Sequence, residues 1–236
     1  MIVSLLVFVT IVVLALPTAL VLIPFTLLSG NVGPLYAAGS WIARAAMFVA
    51  GIRVHIEGRE NIPPGRACIF MANHVSNLDA PALMSHLPGR TVVFLKRSLL
   101  KLPIVGYAFK LAKFIPVGRT GSAESAQAAV ADAERVLASG LHITTFVEGG
   151  RSLDGRMQPF KKGAFYLAKD SGALCVPISI YGTEKIIPWG SNRIHPGEAH
   201  VVFHPPIDPA DYTTREDLSE AVRAVIASGL PEWMRG

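Results

Sequence analysis

No Lys, Arg, Asp or Glu occurs before Arg44, and that single fact constrains the chain more than any other. Residues 2 to 28 are apolar apart from Ser4, Thr10, Thr18 and Thr26. A run of that length exceeds the roughly 20 residues a helix needs to cross a hydrocarbon core, and in lipid a helix is the economical way to satisfy the backbone. Pro17 and Pro24 are expected to kink or end this helix, and Ser29-Gly30-Asn31 signals a turn before a second apolar run from about Pro34 to Ile52. Residues 1–52 are therefore expected to form a two-helix membrane-anchoring motif, and residues 53–236 a separate catalytic domain. Arg44 and Arg53 lie in or just after the second run, which puts the following domain on the cytoplasmic face of the inner membrane. A cleaved signal peptide is disfavoured, since the run lacks a basic start, is too long and has no clear cleavage site.

The remainder reads as an ordinary globular sequence. The whole formal charge of +5 resides after residue 43, which suits anionic partners; beside a lipid-facing segment, lipid headgroups and phosphorylated substrates are favoured over nucleic acid. Cys68 and Cys175 lie in apolar runs with neither zinc-ligand nor CxxC spacing, as expected of buried free thiols. Short β-rich runs recur near residues 53–57, 67–72, 91–95, 114–117, 142–146, 174–181 and 199–204, most of them continuously apolar, as in strands covered on both faces. Helical stretches fall between them, the clearest from Ser122 to Ser139 with Gly140 as its stop. The expected fold is α/β, a largely parallel central sheet with helices on both faces.

Two stretches carry chemistry. Asn73-His74-Val75-Ser76-Asn77-Leu78-Asp79-Ala80-Pro81 follows an apolar strand, so His74 stands at the strand's carboxyl end, where open α/β sheets place their sites. Pro81 belongs in the first turn of a helix, which makes Asp79 a cap or first-turn residue whose carboxylate is held ionised by the helix dipole. Folded back onto one imidazole nitrogen, Asp79 would orient His74 as a general base. No G-x-S-x-G elbow is present, so His74 is expected to deprotonate a substrate hydroxyl directly. In Phe146-Val147-Glu148-Gly149-Gly150-Arg151-Ser152, paired glycines allow close backbone approach and Arg151 offers a fork suited to phosphate. Lys96-Arg97, Arg119, Lys161 and Lys162 recur near other strand ends, which points to a convergent anion site. A metal site of His195, His200 and His204 is disfavoured, since they alternate along or flank one strand without a nearby carboxylate cluster. Leu99 to Lys113 is either a headgroup-boundary segment or an ordinary sheet-covering helix with a lysine face.

The ordered set NHxxxxD, F-I-x-x-x-R, F-x-E-G-x-R-S and V-P-I, spread over residues 53 to 181, resembles the glycerolipid acyltransferases, especially the bacterial 1-acylglycerol-3-phosphate acyltransferases. The resemblance implies acyl transfer from acyl-CoA or acyl carrier protein to lysophosphatidic acid, giving phosphatidic acid. It implies no cofactor, no metal and no nucleic-acid partner, with membrane lipids as surroundings. It makes His74 the base and Asp79 its partner. Arg119 and Arg151 would bind the acceptor phosphate with Lys96 nearby, and Glu148 and Gly149 would position the acceptor; Asn73 and Gly150 complete the expected substrate-binding set. The family usually carries Pro where Val147 stands, often Thr at Gly150, and frequently Glu at Ser98. Another lyso-lipid acceptor, or a non-catalytic lipid-binding protein, is the alternative.

Overall fold

A computed structural model of the chain describes residues 2–117 and 123–236. The apolar start forms α1 (Ile2–Ser29), and α2 (Gly33–Val49) packs back against it. Pro17 and Pro24 lie inside α1, yet it runs through both as one helix. Each proline deprives one carbonyl, that of Val13 or Leu20, of its usual donor, while the remaining ladder of a 28-residue helix stays intact. This helix is long and apolar enough to cross a membrane, with a mean hydropathy of 2.9 and only 6% of its most apolar window buried by the rest of the protein.

Behind this pair stands a seven-stranded sheet: β1 (Ile52–Glu57), β2 (Cys68–Ala72), β3 (Thr91–Lys96), β4 (Ile115–Val117), β5 (His142–Phe146), β6 (Leu174–Tyr181) and β7 (Gly197–Phe203). Their order is β1-β7-β6-β2-β5-β3-β4, and every pairing is parallel except β6 with β7. The expected largely parallel sheet is thus present, with β1 and β7 running against the other five. The apolar runs become strands because both faces are covered. Ile69 and Met71 of β2 pack, with Ile143, Val92 and Cys175, under α5 (Ala123–Ala138), α6 (Gly163–Ser171) and α8 (Arg215–Ser228). Cys68, Phe70 and Ala72 point the other way, toward Leu83 of α3 (Asp79–Met84) and the side of the sheet that carries the α1–α2 pair. All five β2 side chains are buried.

Two polar links reinforce the apolar seam between the N-terminal pair and the domain. The Arg44 guanidinium of α2 donates to the Ser85 carbonyl at the end of α3 (2.8 Å), and the Ile194 amide donates to Ser4 Oγ near the start of α1 (2.9 Å). Leu99 to Lys113 forms a helical turn at Arg97–Lys101 and then α4 (Val105–Leu111). Leu99, Leu102, Ile104, Val105 and Tyr107 are exposed there beside Lys101 and Lys110. Both cysteines are free and buried, and burial pushes each thiol up to about 12.

Candidate active site

The site begins where β2 runs out. After Ala72, paired with Ile178 of β6, the Asn73 side chain continues the ladder: its amide nitrogen donates to the Ile180 carbonyl (2.8 Å) and its oxygen accepts from the Ile180 amide (2.7 Å). Asn73 is fully buried with both ends of its amide engaged, so it anchors the strand end instead of contacting substrate as the sequence suggested. The chain then turns, and His74 emerges over Phe146, its ring stacked at 4.0 Å.

Asp79, the first residue of α3, has no exposed side-chain surface and is ringed by donors. Its Oδ2 accepts from the amides of Val75 (2.7 Å) and Ser76 (2.8 Å) and lies 2.8 Å from His74 Nδ1. Its Oδ1 accepts from the Thr183 hydroxyl at 2.5 Å. A carboxylate so surrounded is an acceptor only, which makes His74 Nδ1 the protonated nitrogen and leaves Nε2 with the basic lone pair. About a fifth of the His74 side chain (19%) remains exposed.

The Glu148 loop is sewn to the same histidine. Glu148 Oε1 accepts from the His74 amide and Oε2 from the Gln158 amide (2.7 Å each), while the Ser152 amide donates to the His74 carbonyl (2.8 Å). Burial pushes the Glu148 carboxyl up to about 7, against the pull of those two donors. Its oxygens face backbone amides, so Glu148 positions His74 and the loop instead of meeting the acceptor directly. Gly149 takes a left-handed φ of +68°, and a Cβ there would come within 2.8 Å of Lys161 Cγ. Gly150 faces open space, with nothing within 4 Å of a Cβ, which accounts for a family position that accepts threonine. Arg151, the next residue, is half-buried and makes no side-chain hydrogen bond or ion pair among the described residues.

The other basic residues divide. Lys96 is exposed at the carboxyl end of β3, the same end of the sheet as His74 and Arg151. Lys161 folds its stem over Gly149, whereas Lys162 turns to an exposed pairing with Glu216 at 3.4 Å. Arg119 lies outside the described residues. His204 is spent on Ser179 Oγ (2.7 Å), so the histidine trio at 195, 200 and 204 does not converge. Sequence reasoning missed Thr183 and Gln158; only the position of Thr183 just past the carboxyl end of β6 could have flagged it.

Beside the pair opens an apolar groove of about 400 Å³. Ala80 and Pro81 of α3, the residues that follow Asp79, line it together with Ile11 and Ala15 of α1, Gly39 and Ala43 of α2, and Val105 and Ala108 of α4. That volume falls within the range of about 300–1,000 Å³ usual for small-molecule sites.

Residues 53–181, which hold the His74–Asp79 pair, the Glu148 loop, Lys96 and Arg119, match the family model described as Acyltransferase. The chain belongs to that family. It is 34% identical to a 1-acyl-sn-glycerol-3-phosphate acyltransferase of Chlamydomonas reinhardtii over 78% of its own length and 55% of that protein's. It is 35% identical to the human 1-acyl-sn-glycerol-3-phosphate acyltransferase alpha, over 72% of this chain and 60% of that one. The chain thus spans a little over half the length of both relatives. Among solved structures, the 1-acyl-sn-glycerophosphate (LPA) acyltransferase PlsC of Thermotoga maritima superposes with a TM-score of 0.81 at 26% identity, covering 98% of this chain and 95% of that one.

Proposed function

We propose that this acyltransferase moves a fatty acyl group from an acyl thioester, acyl-CoA or acyl carrier protein, to the free hydroxyl of 1-acylglycerol-3-phosphate, giving phosphatidic acid. The observation that carries the mechanism is the Asp79 carboxylate, buried and held by four donors, with one oxygen fixed on His74 Nδ1. The relatives named for this activity supply the substrate class.

The acceptor hydroxyl sits at His74 Nε2 and attacks the thioester carbonyl as the imidazole takes its proton; Asp79 stabilises the imidazolium that forms. Thiolate is a good leaving group and takes a proton back from His74 as it departs. Arg151, with Lys96 and Arg119, holds the acceptor phosphate, and holding both substrates in place supplies much of the rate. The apolar groove receives an acyl chain, each methylene removed from water contributing about 0.8 kcal/mol. Residues 1–52 anchor the enzyme in the membrane, with the catalytic domain on the cytoplasmic face, as Arg44 and Arg53 favour.

The test is an assay of detergent-solubilised protein with a panel of lyso-lipids and acyl thioesters, products being identified by mass. Phosphatidic acid is the expected product, and His74→Ala is expected to lower turnover by orders of magnitude while preserving the fold. Preference for another lyso-lipid overturns the acceptor assignment; an undiminished His74→Ala enzyme overturns the mechanism.

A further inference from the structure

The edge of the sheet farthest from β4 carries a cluster that the acyl-transfer reaction does not use. β1 and β7 pair in parallel with His55 opposite His200, and Glu198 lies two residues before His200, on the same face of β7. On this face the sheet is left uncovered: His55 and Glu198 are exposed and His200 half-buried. One donor atom from each of the three residues lies within 4.8 Å of the other two, and His55 Nε2 is already 3.7 Å from Glu198 Oε2. The two imidazoles stack at 4.8 Å, and Tyr181 of β6 stacks on the far side of His200 at 4.5 Å. His200 Nδ1 is buried without a hydrogen-bond partner among the described residues.

We infer that His55, Glu198 and His200 form a peripheral site for a borderline divalent transition-metal ion such as Zn²⁺. Two imidazoles and a carboxylate are a ligand set such ions take readily. Donors bound at about 2.0–2.1 Å stand roughly 3.4 Å apart in a tetrahedron, so the two stacked rings must turn about their χ angles to aim one nitrogen each at a common point. The competing cation is Arg53, which stands 3.9 Å from Glu198. That pair is exposed at both ends and gives way cheaply. Burial raises the pKa of the Tyr181 phenol, and the negative charge of Glu57, two residues beyond His55 on the same face, lifts it further.

The ion would tie β1, an edge strand whose sole partner is β7, to the body of the sheet. β1 is also the strand that α2 enters through the turn at Gly51. Occupancy therefore stiffens the joint between the N-terminal helices and the domain, with β7 and β6 standing between β1 and the β2 end that carries His74.

The experiment uses the full chain in detergent, with any purification tag removed. Co²⁺ titration is expected to give visible d–d absorption that saturates at one equivalent and is bleached by Zn²⁺, and Zn²⁺ is expected to raise Tm. His55→Ala, and His200→Phe, which keeps a ring against Tyr181, are each expected to weaken Co²⁺ binding at least about tenfold while leaving metal-free acyl transfer and circular dichroism unchanged. Glu198→Gln should fall between. A wild type without the cobalt signal, or a signal of equal strength in wild type, His55→Ala and His200→Phe, overturns the site.

Discussion

Thr183→Val removes one hydroxyl and nothing else from the surroundings of the His74–Asp79 pair. Thr183 is fully buried, and its hydroxyl is the donor to Asp79 Oδ1; the other three donors, His74 Nδ1 and the Val75 and Ser76 amides, all address Oδ2. Valine fills the same space, so the variant leaves a carboxylate oxygen unpaired in a site with no water access. Hydrogen bonds to charged groups contribute about 1.5–3 kcal/mol. If that loss falls on the imidazolium-stabilising state, turnover drops roughly 10- to 150-fold at about 1.4 kcal/mol per decade. The assay is steady-state kinetics per folded enzyme, with both substrates varied. The expected pattern is a lowered kcat with little change in either KM, and restoration by Thr183→Ser, which returns the hydroxyl. A Thr183→Val enzyme with wild-type kcat would show that Asp79 holds His74 without this bond and would refute the reasoning.

Three further outcomes are expected. Because the buried Glu148 carboxyl titrates at about 7 against an ordinary 4.5, it stays protonated in the fold while its unfolded counterpart ionises. Its contribution to stability therefore falls as pH rises from about 4.5 to 7 and then levels. Tm measured against pH, taken as the difference between wild type and Glu148→Gln, should show that slope; the buried imidazoles of His142 and His204, held low by desolvation, act in the opposite sense and cancel in the difference. Gly149→Ala forces a left-handed φ on a residue with a Cβ and crowds Lys161, costing about 1–2 kcal/mol in denaturation, whereas Gly150→Ala should be nearly neutral. Cys68 and Cys175, buried with thiols near 12, should resist a thiol-specific reagent until the protein is unfolded.

The sequence exposed the strands because they are buried on both faces: a continuous apolar run such as Cys68–Ala72 has no other comfortable place in a domain. The His74–Asp79 pair was legible for a local reason. Strand end, tight turn and a proline just inside the next helix fix both residues within six positions, and the structure brings them to 2.8 Å. Groups that meet across the fold were not legible. Thr183 reaches Asp79 from 104 positions away, and nothing near it distinguishes it from other threonines. The misread residues share one cause: Asn73 and Glu148 lie in motif blocks beside a substrate site, yet each spends its polar atoms on backbone that only the sheet pairing and the following loop bring near. Strand direction was equally hidden, since an apolar run has the same composition whichever way it points; β7 pairs antiparallel with β6 once residues 182–196 have turned the chain back.

The groove wall supplied by α1 and α2 changes what those helices are for. Trimming them away to obtain a more tractable domain would strip Ile11, Ala15, Gly39 and Ala43 from the cleft and leave Arg44's grip on Ser85 broken. On the proposed mechanism, a shortened chain would keep the His74–Asp79 pair and lose one side of the groove, so a cut at residue 52 would trade substrate grip for solubility.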